Sequence, residues 1–105
     1  MKHRLTYDAK IDLFDATDKY DRAAGCGDDF ADEVDRITSI IEANPQGFSM
    51  ASRCPRGREI RVVKIGRFDY LLYHEVLPTE VVTIAIQHAR RKSSAWRKQI
   101  GRAHV

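Results

Sequence analysis

The hydrophobic periodicity of the sequence changes once, close to Gly47. Before Gly47, apolar residues recur at spacings of three and four, which is typical of amphipathic helices. After Gly47, runs of β-branched and aromatic residues are separated by short polar turns, which is typical of antiparallel strands. A chain in which two helices precede several strands is expected to fold as an α+β domain, with the helices on one face of the sheet.

Two helices are predicted in the first half of the chain. The apolar stripe of the first is formed by Leu13, Ala16, Tyr20 and Ala24. The stripe of the second is formed by Phe30, Val34, Ile37 and Ile41, and these residues are expected in the core. Asp8 is predicted to cap the first helix, and residues 25–27 are predicted to end it. Asn44 and Pro45 are predicted to end the second, because the residue before proline is pushed out of the α region.

Three strands are predicted at residues 58–65, 70–76 and 81–88. Residues 49–53 could add a strand, residues 2–5 another at an edge, and residues 93–102 a short helix or a basic tail. The predicted fold is therefore α+β, in one domain spanning residues 1–105. It has an N-terminal edge strand, a two-helix hairpin, a three- to four-stranded antiparallel meander and a short C-terminal helix or tail. The second face of the sheet is expected to be open.

Acidic and basic residues are segregated along the chain. Residues 8–42 contain eleven acids and four bases, whereas residues 53–105 contain twelve bases and four acids. The net charge of +3 conceals this asymmetry. We expect the basic half to attract phosphate groups or an acidic partner, while the acidic half remains solvated.

The sequence excludes several classes of protein. No run approaches the roughly 20 apolar residues of a membrane span, and residues 1–5 are polar rather than the apolar core of a signal peptide. A cytoplasmic location without membrane association is therefore expected. Cys26 and Cys54 lack metal-ligand spacing and are expected to be ordinary thiols in a reducing compartment. No metal or other cofactor is predicted.

Three segments resemble the ParE/RelE toxin superfamily, whose compact members are often labelled plasmid-stabilisation proteins. The first helix of that family is similar to residues 9–13 together with Tyr20. The second is similar to residues 30–41 followed by Asn44 and Pro45. The last strand of that family and the H-x-R-R motif at its end resemble residues 82–91 together with Trp96. The resemblance covers nearly all of residues 5–97.

This resemblance implies a toxin of a type II toxin–antitoxin system. In that superfamily the ParE branch poisons DNA gyrase by binding it, and the RelE branch cuts mRNA on the ribosome. Both activities use the basic sheet face and the C-terminal segment. A cognate antitoxin is implied as a partner, and a toxin–antitoxin hetero-oligomer could form.

The nuclease pattern of the RelE branch is incomplete in this chain. Arg61 falls where a strand lysine is expected, Arg90 on an arginine after the last strand, and Trp96 on a tyrosine. Two further basic positions fall on Val63 and Tyr70. Trp96 offers no hydroxyl and Val63 cannot carry a proton, so general acid and base groups are missing.

His88 could supply a missing proton-transfer group, because an imidazole titrates near neutral pH. The alternative is that His88 forms a hydrogen bond at a strand end. It shares strand parity with Val82, Ile84 and Ile86, which favours the structural interpretation. If the chain is a nuclease, its catalytic residues are Arg61, Arg90 and His88.

A surface for the target or the antitoxin is predicted in the basic half. Its candidate residues are Arg61, Lys64, Arg67, Tyr70, His88, Arg90, Arg91, Lys92 and Trp96. Strand alternation sends Arg61 and Lys64 to opposite faces, and likewise Tyr70 and Tyr73. Trp96 is either a lid on the core or an exposed anchor.

The leading hypothesis is a ParE-like toxin that inhibits DNA gyrase by binding and is neutralised by an antitoxin. One alternative is a ribosome-dependent mRNA endonuclease. Another is a non-toxic basic domain that binds nucleic acid, whose affinity would fall steeply with salt. An antitoxin segment that is apolar with an acidic rim is expected in the open sheet face or the groove beside it.

Overall fold

The computed structural model describes residues 1–91 and 95–103, with side chains as far as Ile100. The elements are β1 (Lys2–Leu5), α1 (Tyr7–Ala24), α2 (Gly27–Ala43), β2 (Ser49–Met50), β3 (Ile60–Lys64), β4 (Tyr70–Val76), β5 (Glu80–His88) and α3 (Ala95–Ala103). This order confirms the predicted α+β fold, including the edge strand, the helical hairpin and the C-terminal helix. Lys92 lies outside the described residues.

The five strands in the described residues form one mixed sheet in the order β1-β5-β4-β3-β2. Strands β2 to β5 pair as the predicted antiparallel meander. Strand β1 pairs with β5 in parallel, with Leu5 opposite Thr83. Strands β1 and β2 lie at opposite edges, so the α1–α2 hairpin carries the chain across the sheet, and the meander then brings β5 back beside β1.

The α1–α2 hairpin covers one face of the sheet. The stripe of α2 is buried as predicted, with Phe30, Val34, Ile37 and Ile41 at most 2% exposed. Helix α1 contributes Ala9 and Ala16, whose small side chains let the helix lie close to the sheet. The rings of Tyr20, Phe30, Phe68 and Tyr70 pack together with centroids 4.8 to 5.7 Å apart. This aromatic cluster fastens the hairpin to the β3–β4 turn.

Thr6, rather than Asp8, caps α1. The Oγ1 atom of Thr6 accepts the backbone N–H of Ala9 at 3.1 Å, and Asp8 lies in the first turn, where its charge favours the helix dipole. The prediction of Asp8 as the cap is therefore wrong by two residues. The helix ends as predicted at Gly25, whose φ of 65° is the left-handed conformation that glycine adopts without strain.

A bulge in β5 changes which side chains share a face. Tyr73 lies opposite Ala85 and His74 opposite Thr83, so Ile84 is an extra residue in β5. Val82 and Ile84 therefore pack on the face away from the hairpin, whereas Ile86 packs under it. The predicted shared parity of His88 with Val82 and Ile84 is wrong, because simple alternation does not continue through a bulge.

Helix α3 lies on the second face of the sheet. Trp96 and Ile100 are buried there together with Tyr73, Val82 and Ile84. The expectation that this face is open is therefore wrong in part. The apolar residues of 93–102 are few, but they are spaced to meet the exposed apolar side of the meander.

Both cysteines are free thiols, as predicted. Among the described residues, no group of His, Cys, Asp and Glu side chains is arranged to hold a metal ion. None of the described helices combines the length and the apolarity that crossing a bilayer requires.

Candidate functional site

The end of β5 presents Arg90 and Arg91 to solvent. The backbone N–H of Ala89 donates to the Asp69 carbonyl at 2.8 Å, which ties the end of β5 to the β3–β4 turn. The N–H of Arg91 donates to the His88 carbonyl at 3.0 Å, so the chain turns directly after the strand. Both arginine side chains are exposed on this turn. The predicted H-x-R-R motif, residues 88–91, therefore forms an ordered turn with two basic side chains, which we call the basic corner.

His88 holds this corner. Its Nδ1 atom accepts the backbone N–H of Arg90 at 3.1 Å, and its ring packs edge-on against Tyr70 at 5.3 Å. Because Nδ1 is occupied as an acceptor, the neutral ring carries its proton on Nε2. The interpretation of His88 as a strand-end hydrogen-bonding residue is confirmed.

Trp96 is a lid on the core. It is 1% exposed, and its ring stacks on Tyr73 with centroids 5.0 Å apart and planes 14° apart. The alternative of an exposed anchor is wrong, because the indole is used to dock α3 on the sheet. Burial in this stack raises the pKa of the Tyr73 hydroxyl.

A polar network fixes the position of α3. The side-chain amide of Gln99 donates to the Ile84 carbonyl at 2.9 Å and to Asp12 Oδ2 at 3.1 Å. Gln87 donates to Gln99 Oε1 at 2.9 Å. Gln87 and Gln99 are buried, so these bonds replace water and set the register of the helix. Sequence reasoning missed this network because Gln99 and Asp12 are ordinary polar residues in their helices.

Docking of α3 leaves a basic outer side. Trp96, Gln99 and Ile100 point into the protein, whereas Arg97 is partly exposed and Lys98 is exposed. We use the name basic C-terminal surface for four cations on two elements. Arg90 and Arg91 lie on the turn after β5, where Arg91 also borders Asp12 and Lys19 of α1, and Arg97 and Lys98 lie on α3. Arg97 and Lys98 were not among the candidate site residues, and the signal that identifies them is helical spacing relative to Trp96 and Ile100.

Arg61 and Lys64 differ in exposure and in the face of the sheet on which they lie. Arg61 is only 18% exposed, pairs with Glu59 at 2.8 Å and donates to the Phe48 carbonyl at 2.5 Å. Lys64 is exposed beside Val62 on the face that carries α3, so Arg61 and Lys64 lie on opposite faces as predicted. Alternation and the Glu59 ion pair therefore separate Arg61 from Lys64, and the role of these residues in binding a target stays a prediction.

Arg67 lies on the β3–β4 turn, on the side of the acidic hairpin. Its guanidinium stacks over the Phe68 ring at 4.7 Å and approaches Asp29 Oδ2 at 3.4 Å. Both charged groups of this pair are largely exposed, so the interaction contributes little to stability. Arg67 therefore marks the border between the acidic and basic halves. Tyr70 is 9% exposed and belongs to the core under the hairpin.

The three candidate nuclease residues do not converge. Arg61 lies opposite His74 on β4, whereas His88 lies opposite Tyr70 on the other side of the same strand. Tyr70 and His74 are four positions apart on β4, which is about 13 Å along the strand. Arg90 lies two residues beyond His88, on the turn after β5. A single phosphodiester cannot contact all three groups in this arrangement.

A cleft of about 370 Å³ lies between β2, β3 and α3. Its walls are formed by Ser49, Ser52, Val62, Val63, Lys64, Leu71, Tyr73 and Trp96. The described lining combines apolar side chains with two serine hydroxyls and the ammonium group of Lys64. This is the part of the second sheet face that α3 leaves uncovered, and its chemistry suits an apolar segment that carries acidic residues.

The fold has a relative among solved structures, whereas no family model and no curated protein matches the sequence. A structure described as "Chromosomal ParDE TA system from P. aeruginosa" is similar over 84% of this chain and 95% of that chain. The TM-score is 0.62 and the sequence identity is 21%. At this identity the similarity establishes the fold. The chain therefore has the α+β fold of a ParDE-system protein, as its resemblance to the ParE/RelE superfamily predicted.

Proposed function

We propose that the chain is a ParE-like toxin of a type II toxin–antitoxin system, which acts in the cytoplasm by binding DNA gyrase. A cognate antitoxin neutralises it. The shared fold supports this proposal, because the neighbouring structure belongs to a chromosomal ParDE system. The sequence motifs of the ParE/RelE superfamily support it independently of the fold.

The separation of Arg61 from His88 and Arg90 favours binding over cleavage. A ribonuclease needs its proton-transfer groups and its cations around one phosphate. In this chain Arg61 is committed to Glu59 and to the Phe48 carbonyl, and His88 is committed to the Arg90 backbone. These residues serve the fold, which leaves the exposed cations available to grip a partner.

The basic C-terminal surface is the proposed contact with the target. Its cations lie on a turn fixed by His88 and on a helix fixed by Trp96 and Gln99. Rigid presentation lowers the entropy cost of binding, and clustered arginine suits recognition of carboxylates. The antitoxin is proposed to occupy the 370 Å³ cleft beside α3, which has the mixed apolar and cationic chemistry expected for it.

The proposal is tested by separating replication from translation. Induced expression of the chain in cells should stop thymidine incorporation before it affects methionine incorporation. The purified chain should inhibit supercoiling of relaxed plasmid by gyrase. Continued DNA synthesis alongside arrested translation and cleaved mRNA would instead establish the endonuclease alternative.

A charge-reversal series locates the contact. Arg97→Glu combined with Lys98→Glu should weaken gyrase inhibition about tenfold or more, because it replaces two cations of the basic C-terminal surface with acids. The matched control is Arg53→Glu combined with Arg56→Glu, which reverses two exposed arginines in the loop before β3. Equal loss of inhibition in both variants would indicate a general charge effect and contradict the assigned surface.

A further inference from the structure

Helix α1 carries an apolar stripe on its solvent side. Tyr7, Ile11 and Phe14 are 77%, 42% and 72% exposed. Their spacings of four and three place them on one face of the helix, opposite the buried Ala9 and Ala16. We call Tyr7, Ile11 and Phe14 the outer stripe. It is separate from the stripe that packs α1 on the sheet.

Three large apolar side chains in one row differ from scattered exposed residues. Single exposed apolar side chains are common on protein surfaces, whereas contiguous patches mark interaction sites. Phe14 also lines a groove of about 350 Å³ between the end of α1 and the start of α2. The stripe therefore runs from the start of α1 into a depression beside the helix crossing.

The groove is acidic. Beside Phe14 and Thr17 it is lined by Asp18, Asp21, Gly27 and Asp28. Asp18 pairs with Arg22 at 3.0 Å, but both side chains of that pair are well exposed, so a competing cation can reach the carboxylate. Lys10 lies beside the outer stripe on α1, three residues after Tyr7 and four before Phe14. The groove therefore favours a partner that places a cationic side chain next to an apolar one.

This charge pattern selects the kind of occupant. A phosphate backbone is repelled by the carboxylates of the groove. A second copy that paired the same surface about a twofold axis would place its carboxylates against these. A helix that carries apolar residues at spacings of three and four, flanked by Lys or Arg, satisfies both parts of the surface.

We propose that the outer stripe and its acidic groove form a docking site for a basic amphipathic helix of a partner protein. Apolar side chains of that helix cover Tyr7, Ile11 and Phe14, and a Lys or Arg enters the groove beside Asp21. The site lies on the hairpin, whereas α3 packs on the other face of the sheet. Its occupant therefore differs in charge and location from the partners of the basic C-terminal surface, and the inference does not depend on the toxin function.

The test uses two synthetic peptides. One is a labelled helix with Leu at positions i, i+3, i+4 and i+7 and Lys at the flanking positions, and the other has Glu in place of every Lys. Fluorescence anisotropy should detect binding of the Leu/Lys peptide to the full chain, and the affinity should fall as salt is raised. Equal binding of the Leu/Glu peptide would overturn the proposal.

Variants then locate the contact. Phe14→Ser should weaken Leu/Lys binding about tenfold or more, because it removes a central aromatic contact. Asp18→Asn combined with Asp21→Asn should weaken binding and flatten its salt dependence. The control is Met50→Ser, which removes an exposed apolar side chain from the far edge of the sheet. Phe14 and Met50 are exposed, so circular dichroism should show folded proteins.

Two outcomes would overturn the inference. Wild-type affinity in Phe14→Ser would place the peptide elsewhere. Self-association of the wild-type chain that Phe14→Ser abolishes, measured by sedimentation velocity, would identify a second copy as the occupant of the outer stripe.

Discussion

The carboxylate of Asp12 on α1 accepts the backbone N–H of Ile86 on β5 at 3.0 Å. Strand β1 ends opposite Thr83, so it does not pair with Ile86. The same Asp12 oxygen accepts the side-chain amide of Gln99 on α3. One carboxylate therefore completes the edge of the sheet and joins both helical layers to it.

Asp12→Ala should lower the free energy of unfolding by about 1 to 3 kcal/mol, because the N–H of Ile86 loses its acceptor. Asp12→Asn should be close to wild type, since its amide oxygen can accept both hydrogen bonds. Urea denaturation followed by circular dichroism measures both. Equal destabilisation by the two substitutions would show that the charge, rather than the acceptor, matters.

Asp12 should also give the stability a distinctive pH dependence. Partial burial raises the pKa of this carboxyl above 3.8, although its hydrogen bonds and Arg91 oppose the shift. The folded state then holds the proton more tightly than the unfolded state, so this contribution to stability is full below pH 3.8 and is lost as the pH rises through the folded pKa. Stability relative to Asp12→Asn should therefore fall from acid to neutral pH. An unchanged difference would contradict the raised pKa.

Trp96→Ala should lower the free energy of unfolding by about 3 to 5 kcal/mol, as expected when a fully buried aromatic side chain is removed. Trp96→Phe should retain much of the stability that Trp96 contributes, because a phenyl ring can still stack on Tyr73. Denaturation is followed by circular dichroism, since both variants lack the indole fluorophore. A loss below about 1 kcal/mol in Trp96→Ala would mean that α3 does not depend on this contact for docking.

His74 should make the protein less stable in acid. The ring is fully buried and its Nε2 donates to the Pro45 carbonyl at 3.2 Å. Within the part of the chain that the structure describes, its Nδ1 has no hydrogen-bond partner. Burial lowers the pKa of His74 below 6.5, so the unfolded chain binds a proton that the folded chain excludes. The corresponding stability is present above pH 6.5 and is lost as the pH falls toward the folded pKa.

His74→Gln tests this directly, because its amide can still donate to Pro45 but does not titrate. As the pH is lowered from 6.5, the variant should lose less stability than the wild type. Thermal unfolding across a pH series measures this difference. Parallel pH profiles would show that the pKa of His74 does not differ between the folded and unfolded states, and would contradict the prediction. His3, whose pKa is also lowered by burial, is tested separately by His3→Gln.

Arg58 and Glu75 form a bidentate pair, with N–O distances of 2.7 and 2.6 Å and with Glu75 only 3% exposed. Arg58→Met should lower the free energy of unfolding by about 3 kcal/mol, because a buried carboxylate loses its guanidinium. Combining it with Glu75→Gln should recover part of the loss. Additive losses in this double-mutant cycle would show that the two residues do not interact energetically.

The helices and the strands of the meander follow from local periodicity. The α2 stripe of Phe30, Val34, Ile37 and Ile41 is predictable because each side chain faces the core at helical spacing. The stop before Pro45 is equally local, since it depends on one backbone restriction. The basic corner at Arg90 and Arg91 was likewise identified from neighbouring residues.

The other features of the fold depend on contacts between residues that are distant in the sequence. The sequence by itself determined the element types, the buried stripe of α2 and the segregation of charge, because these depend on residues close together in the chain. The tertiary structure decided the bulge at Ile84, the burial of Trp96 on Tyr73 and the link from Asp12 to Ile86. Each joins partners that are distant in sequence, or that pair only in one register. The packing of the strands and of α3 therefore determines which arginines remain at the surface.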